Sequence, residues 1–162
     1  MPQSADDRAA NPDRDFVTIV TGLPRSGTSM MMQMLIAGGL PALTDQQRQP
    51  DEDNPRGYFE LDDAKRLGQG HVAWLPSAAG RCVKIVVPLI AHVPQGNYRV
   101  IVMERDLDEI LQSQHAMLAR SGKRGARLPP EQLKAILAKH LREADALLTQ
   151  WGCPTVRVAY RA

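Results

Sequence analysis

The sequence predicts an α/β fold, a parallel β-sheet with helices on both faces. Three observations carry that expectation. Short apolar runs that read as strands alternate with helical stretches along the 162 residues. The first run leads straight into a glycine-rich turn and then a helix. The longest helical stretch repeats its apolar residues at i, i+3 and i+4, so one stripe is available to lie on a sheet. Strands and helices that alternate in this way pack as parallel strands covered on two sides.

The elements follow in order. Residues Met1 to Asp15 are polar, contain Pro2 and Pro12 and show no period, as a disordered tail would. A single domain is therefore expected over 16–162. Phe16 to Val20 reads as a buried strand, and Thr28 to about Gly38 as a helix closed by Gly38-Gly39. Met30, Met31, Met32, Met34, Leu35 and Ile36 make that helix apolar nearly all round, which predicts burial with methionines filling core gaps. Leu40 to Tyr58 is a long polar connection with three prolines, and connections of this length are often functional. A short helix is expected from Leu61 to about Val72, then strands at Cys82–Val87, ended by Pro88, and at Tyr98–Met103.

Asp106 and Glu109 have the spacing of a capping box, opening a helix that buries Ile110, Leu111, Met117 and Leu118. Ser121 to Arg127 is a glycine-containing basic loop. Pro129-Pro130 opens the clearest helix, with Leu133, Ile136, Leu137, Leu141, Ala144, Leu147, Leu148 and Trp151 on its apolar stripe. Thr155 to Tyr160 reads as a final strand.

Composition narrows the class. Apolar residues make up 43% of the chain, with no run of the ~18 residues a membrane span needs. No secretory leader pattern opens the sequence, and a cytoplasmic protein is the simplest expectation. A net charge of +2 is too small to point to nucleic acid. Cys82 and Cys153 lack metal-ligand spacing and read as reduced core or boundary thiols. No metal cluster is visible, and oligomeric state leaves no trace.

Chemistry concentrates in Gly22-Leu-Pro-Arg-Ser-Gly-Thr-Ser29. Strand, glycine turn and helix together build a phosphate cradle, because backbone N–H groups converge at a helix N-terminus that carries partial positive charge. Gly22 and Gly27 have the spacing of the nucleotide-binding loop G-x-x-x-x-G-K-[ST], but Thr28 stands where its lysine belongs. The cation is instead Arg25, which can hold two oxygens of a phosphate or sulfate at once. That disfavours an ordinary ATPase or GTPase.

With those residues in view, Gly22–Ser29 resembles the 5′-phosphosulfate loop of sulfotransferases, which use 3′-phosphoadenosine 5′-phosphosulfate (PAPS) and release 3′,5′-ADP. Arg105 at a strand end and Ser113 on the following helix match that family's second signature. Asn54-Pro-Arg-Gly-Tyr-Phe-Glu60 is similar to a segment common in bacterial sulfotransferase-like proteins. The resemblance spans roughly residues 16 to 160. It implies a P-loop nucleoside triphosphate hydrolase-like three-layer sandwich. It also implies that Gly22, Pro24, Arg25, Ser26, Gly27, Thr28 and Ser29 cradle the 5′-phosphosulfate, while Arg105 and Ser113 hold the 3′-phosphate. Arg25 would stabilise the bridging and leaving oxygen.

Lys84 matches the family's strand lysine, and either faces the sulfuryl group or pairs with a carboxylate. Cytosolic members place a catalytic His two residues after that lysine, where this chain has Val86. A base is then expected among the carboxylates after the first helix, Asp45, Asp53 or Glu60, with Glu60 preferred. Each of the three also reads as a solvated or helix-capping group. His140 reads as a satisfied boundary residue, and His71, His92 and His115 as solvated or structural. Arg120, Lys123, Arg124 and Arg127 read as a solvated loop or as a lid over an anion. Trp74 and Trp151 read as core. Family members usually continue into a basic C-terminal segment, so the resemblance implies a short or truncated member.

The acceptor, a small molecule, glycan or peptide, leaves no signature. Two rival readings stand beside this one. The first is a small P-loop kinase or hydrolase with Glu104 as its metal-orienting carboxylate. The second is a sulfotransferase-like protein that binds without catalysing.

Overall fold

Val17–Gly22 forms strand β1, and all six of its residues are buried. The run is apolar apart from Thr18 and Thr21, which suits a strand covered on both faces. The computed structural model describes residues 15–45, 48–125 and 127–161. The tail expected over 1–15 therefore lies, except for Asp15, outside the described residues. After β1 come α1 (Thr28–Ala37), α2 (Asp62–Lys65), β2 (Cys82–Lys84), β3 (Tyr98–Glu104), α3 (Leu107–Ser121), α4 (Pro130–Trp151) and β4 (Thr155–Ala159).

The expected α/β class is observed. The sheet has the order β2-β1-β3-β4 and every pairing is parallel. Gly22 lies opposite Met103, and Glu104 opposite Ala159, so the strands end together at one edge of the sheet. Neighbouring residues of β1 face opposite sides. Ile19 joins a cluster with Val83, Val100 and Leu148 of α4. Val20 joins a second cluster with Met31 and Met32 of α1. A third cluster, Leu23, Val87, Ile110 and Ala144, ties α3 and α4 to the turn after β1. Trp74 and Trp151 pack against the first cluster, as expected, and the Trp151 ring lies 5.3 Å from that of Tyr98.

Several local expectations need correction. β2 stops at Lys84 instead of reaching Val87. Ile85 still donates to the Val20 carbonyl at 2.9 Å, but Val87–His92 is a 3-10 helix with Pro88 at its start. The helix expected over Leu61–Val72 is a single turn, α2, followed by a 3-10 turn at Leu67–Gln69 that ends on Gly70 at φ 83°. α1 is not buried all round: Met30 and Met34 are 39% and 57% exposed, because only the Met31–Met32 side meets the sheet. Asp106 caps α3 by accepting from the N–H groups of Asp108 and Glu109, but the Glu109 carboxylate goes to Arg105, so the box is not reciprocal. His140 is not satisfied, since its buried Nδ1 has no partner among the described residues. Cys82 is buried, Cys153 half-buried, and both are free thiols. No helix among the described residues is long and apolar enough to cross a membrane.

Candidate functional site

Parallel strands bring their C-terminal ends to one edge, where ligands of α/β sheets commonly bind. Gly22 ends β1, Lys84 ends β2, Arg105 follows β3 and Tyr160 follows β4. A cleft of about 400 Å³ opens at this edge. It is lined by Pro24, Arg25, Gly27, Thr28 and Ser29 of the turn, by Lys84 and Arg105, by Asp53 and Tyr58 of the connection, and by Glu60 just after it.

The turn is shaped by its glycines. A Cβ on Gly22 would collide with Ser26 Oγ and lie 2.9 Å from the Met103 carbonyl oxygen, so β1 and β3 approach too closely there for any side chain. Gly27 is the N-cap of α1, in the left-handed region at φ 95°, with no side-chain cap. Met31 is the first helical residue to donate back, to the Gly27 carbonyl at 3.1 Å. The N–H groups of Thr28, Ser29 and Met30 therefore precede the first intrahelical bond. Ser26 behaves differently from expectation. Both its N–H and its hydroxyl donate to the Leu23 carbonyl, at 3.2 and 2.6 Å, and it is buried. It holds the turn's shape and does not line the cleft.

Arg25 has a left-handed φ of 69°, unusual for a residue with a side chain. Its Nε donates to Ser113 Oγ at 2.9 Å, and Nη2 lies 3.9 Å from the Asp53 carboxylate. Arg105 donates from Nη1 to the Arg25 carbonyl at 2.9 Å and from Nε to Glu109 at 3.1 Å. Its guanidinium lies 4.7 Å from the centre of the Tyr160 ring. Arg105 and Ser113 thus converge on Arg25. Arg105 lines the cleft, whereas the Ser113 hydroxyl is engaged by Arg25.

Lys84 is 8% exposed and donates to Ser29 Oγ at 3.0 Å and the Tyr58 carbonyl at 2.9 Å. Its Nζ stands 4.0 Å from Glu60, so it both lines the cleft and pairs with a carboxylate. Burial lowers its pKa from 10.5 to about 8, with the Glu60 charge pulling the other way.

The three candidate carboxylates separate. Glu60 lies in the cleft between Lys65 at 2.6 Å and Arg48 at 3.4 Å. Asp53 pairs with Arg120 and Arg25. Asp45 accepts from the Asp62 N–H at 2.5 Å, at the start of α2, and is not among the residues that line the cleft. Glu104 pairs with Arg157 of β4 at 2.9 Å. His115 is exposed on α3, and Lys123, Arg124 and Arg127 are exposed beyond it.

Arg48, Tyr58, Gln114 and Tyr160 also line the cleft and were not foreseen. Tyr160 had a usable signal, since it follows a parallel strand just as Arg105 does. Gln114 stands next to Ser113. Tyr58 belongs to the Asn54–Glu60 segment singled out by its resemblance, which gave it no role, and Arg48 lies in a connection without periodicity and had no signal. A scan against protein-family models and a search of curated proteins each found no match.

Proposed function

We propose that the chain is a PAPS-dependent sulfotransferase with a three-layer, P-loop nucleoside triphosphate hydrolase-like fold, acting on a hydroxyl or amine acceptor. The observation that carries this reading is the sharing of one cleft by the glycine turn, Lys84 and Arg105, with Arg105 bonded to the Arg25 carbonyl. Four cationic side chains, Arg25, Arg48, Lys84 and Arg105, against the carboxylates of Asp53 and Glu60, and an uncapped helix start around one space suit a small ligand with anionic groups at two ends. The threonine at residue 28 and the engagement of Glu104 by Arg157 weigh against the hydrolase reading.

The residues fit such a nucleotide. The N–H groups of Thr28, Ser29 and Met30, with the Thr28 hydroxyl, would hold the 5′-phosphate, and Arg105 the 3′-phosphate; the Ser29 hydroxyl donates to the Tyr58 carbonyl at 3.3 Å and accepts from Lys84. Ser113 positions Arg25. Bound PAPS would supply the sulfuryl group, with the bond to its phosphate oxygen breaking as the bond to the acceptor atom formed. Arg25 and Lys84 offset the charge that builds on the oxygens, and Arg25 leaves Asp53 to do so. Glu60 takes the acceptor's proton, oriented by Lys65 and Arg48.

The test supplies PAPS and a panel of alcohols and amines and follows 3′,5′-ADP release. Acceptor-dependent release that falls about 100-fold or more in Arg25→Ala supports the reading. A second reading, a binding protein without transfer, is favoured by the engagement of Arg25 with Ser113 and Asp53. Tight 3′,5′-ADP binding with no release on any acceptor would establish it.

A further inference from the structure

A second cavity, of about 520 Å³, lies against the cleft. Its apolar wall comes from Ile36, Leu40, Ala42 and Phe59, between the end of α1 and the connection. Arg48 and Tyr58 line both spaces, with the Arg48 guanidinium stacked 3.4 Å from the centre of the Tyr58 ring. The Tyr58 hydroxyl is anchored on Asp51 at 2.6 Å. The partition is built at a backbone cost. Gly57 has φ 100°, and Phe59, which is not a glycine, has φ 52°. That bend gives Phe59 to the cavity and the next residue, Glu60, to the cleft.

Among the described residues, the cavity's charged lining is two arginines and no carboxylate. Arg48 is engaged by Glu60 and Tyr58. Arg56 makes no hydrogen bond or ion pair among the described residues.

We propose that this cavity holds the body of the acceptor, and that the acceptor is an apolar molecule bearing a carboxylate. The carboxylate meets Arg56 at the mouth, the apolar body fills the space beside Phe59, and the hydroxyl end passes the Tyr58–Arg48 partition toward Glu60. The acceptor role rests on the sulfotransferase reading; binding of the apolar carboxylate does not.

The test titrates the full chain, without nucleotide, with dansyl-labelled undecanoate and with its methyl ester. The acid is expected to bind about fivefold tighter than the ester in wild type, with the difference lost in Arg56→Ala. Ala37→Trp fills the cavity from an exposed position and is expected to abolish binding of both probes while leaving 3′,5′-ADP affinity unchanged. Equal affinity for acid and ester in wild type, or unchanged probe binding in Ala37→Trp, would overturn the proposal. With PAPS supplied, hydroxyundecanoate should be sulfated with a lower KM than undecanol. Probe binding without 3′,5′-ADP binding would keep the cavity's ligand and end its acceptor role.

Discussion

A guanidinium nitrogen of Arg105 donates to the backbone carbonyl of Arg25 at 2.9 Å, so the residue that follows β3 steadies the turn that follows β1. The bond is possible because β1 and β3 are direct neighbours, with Gly22 opposite Met103. Arginine has five N–H donors, and these two contacts, to Arg25 and Glu109, leave several for a ligand. One side chain thus serves both the shape of the turn and the charge of the cleft.

Asp53 places a carboxylate 3.9 Å from Arg25 and also pairs with Arg120, while only 10% exposed. An incoming anion competes with that carboxylate for Arg25. Asp53→Asn is therefore expected to tighten inorganic sulfate or phosphate binding by about three- to tenfold. Calorimetry at fixed ionic strength checks this, and weaker binding in the variant would refute it.

Ser113 accepts from Arg25 Nε, so its loss should affect Arg25 more than the nucleotide's far phosphate. Ser113→Ala is expected to lower turnover about tenfold while keeping the preference for 3′,5′-ADP over ADP. A variant that keeps turnover and loses the preference would return Ser113 to a direct 3′-phosphate role.

Lys84 gives a pH signature. Its pKa falls from 10.5 to about 8 on folding, mainly through burial. Between those values the unfolded chain binds the extra proton, so the lysine's contribution to stability rises with pH through that window. Below about 8 it is charged in both states, and its contribution is lowest and flat. The full window corresponds to about 3 kcal/mol. Cys82, pushed by burial from 9 up to about 12, acts oppositely above 9. Comparing wild type with Lys84→Met isolates the lysine. Denaturant titrations should show the difference moving in favour of wild type from pH 8 upward, and a pH-independent difference would contradict the assignment.

Gly22→Ala tests the close approach of β1 and β3. Its Cβ would press on the Met103 backbone oxygen at 2.9 Å, which cannot rotate away. A loss of roughly 1–3 kcal/mol is expected from such overpacking, read as a lowered thermal midpoint. An unchanged midpoint would contradict the close approach of the two strands at Gly22.

Local chemistry was the legible part. Gly22, Arg25, Gly27 and Arg105 announce themselves because each follows an apolar strand, and parallel strands deliver such residues to one edge. Lys84 stands out as the charged residue of a strand. Less legible was whatever depended on distant partners. The Asp53–Arg120 pair joins residues far apart in sequence, and Tyr58 lies in a connection whose course no period predicts. The apolar surface of α1 suggested burial on all sides, but a helix on a sheet covers only the side it rests on, and Met34 remains exposed. β2 ended early because the valines after Lys84 lead into Pro88, which cannot continue a ladder.

The central claim is that two anion-binding groups at adjacent strand ends accept one nucleotide phosphorylated at both the 5′ and 3′ positions. Calorimetric titration of 3′,5′-ADP against ADP, on wild type and Arg105→Ala, tests it directly. Wild type should prefer 3′,5′-ADP by about tenfold or more, and the variant should bind both nucleotides alike. Equal affinity for the two nucleotides in wild type would contradict the account.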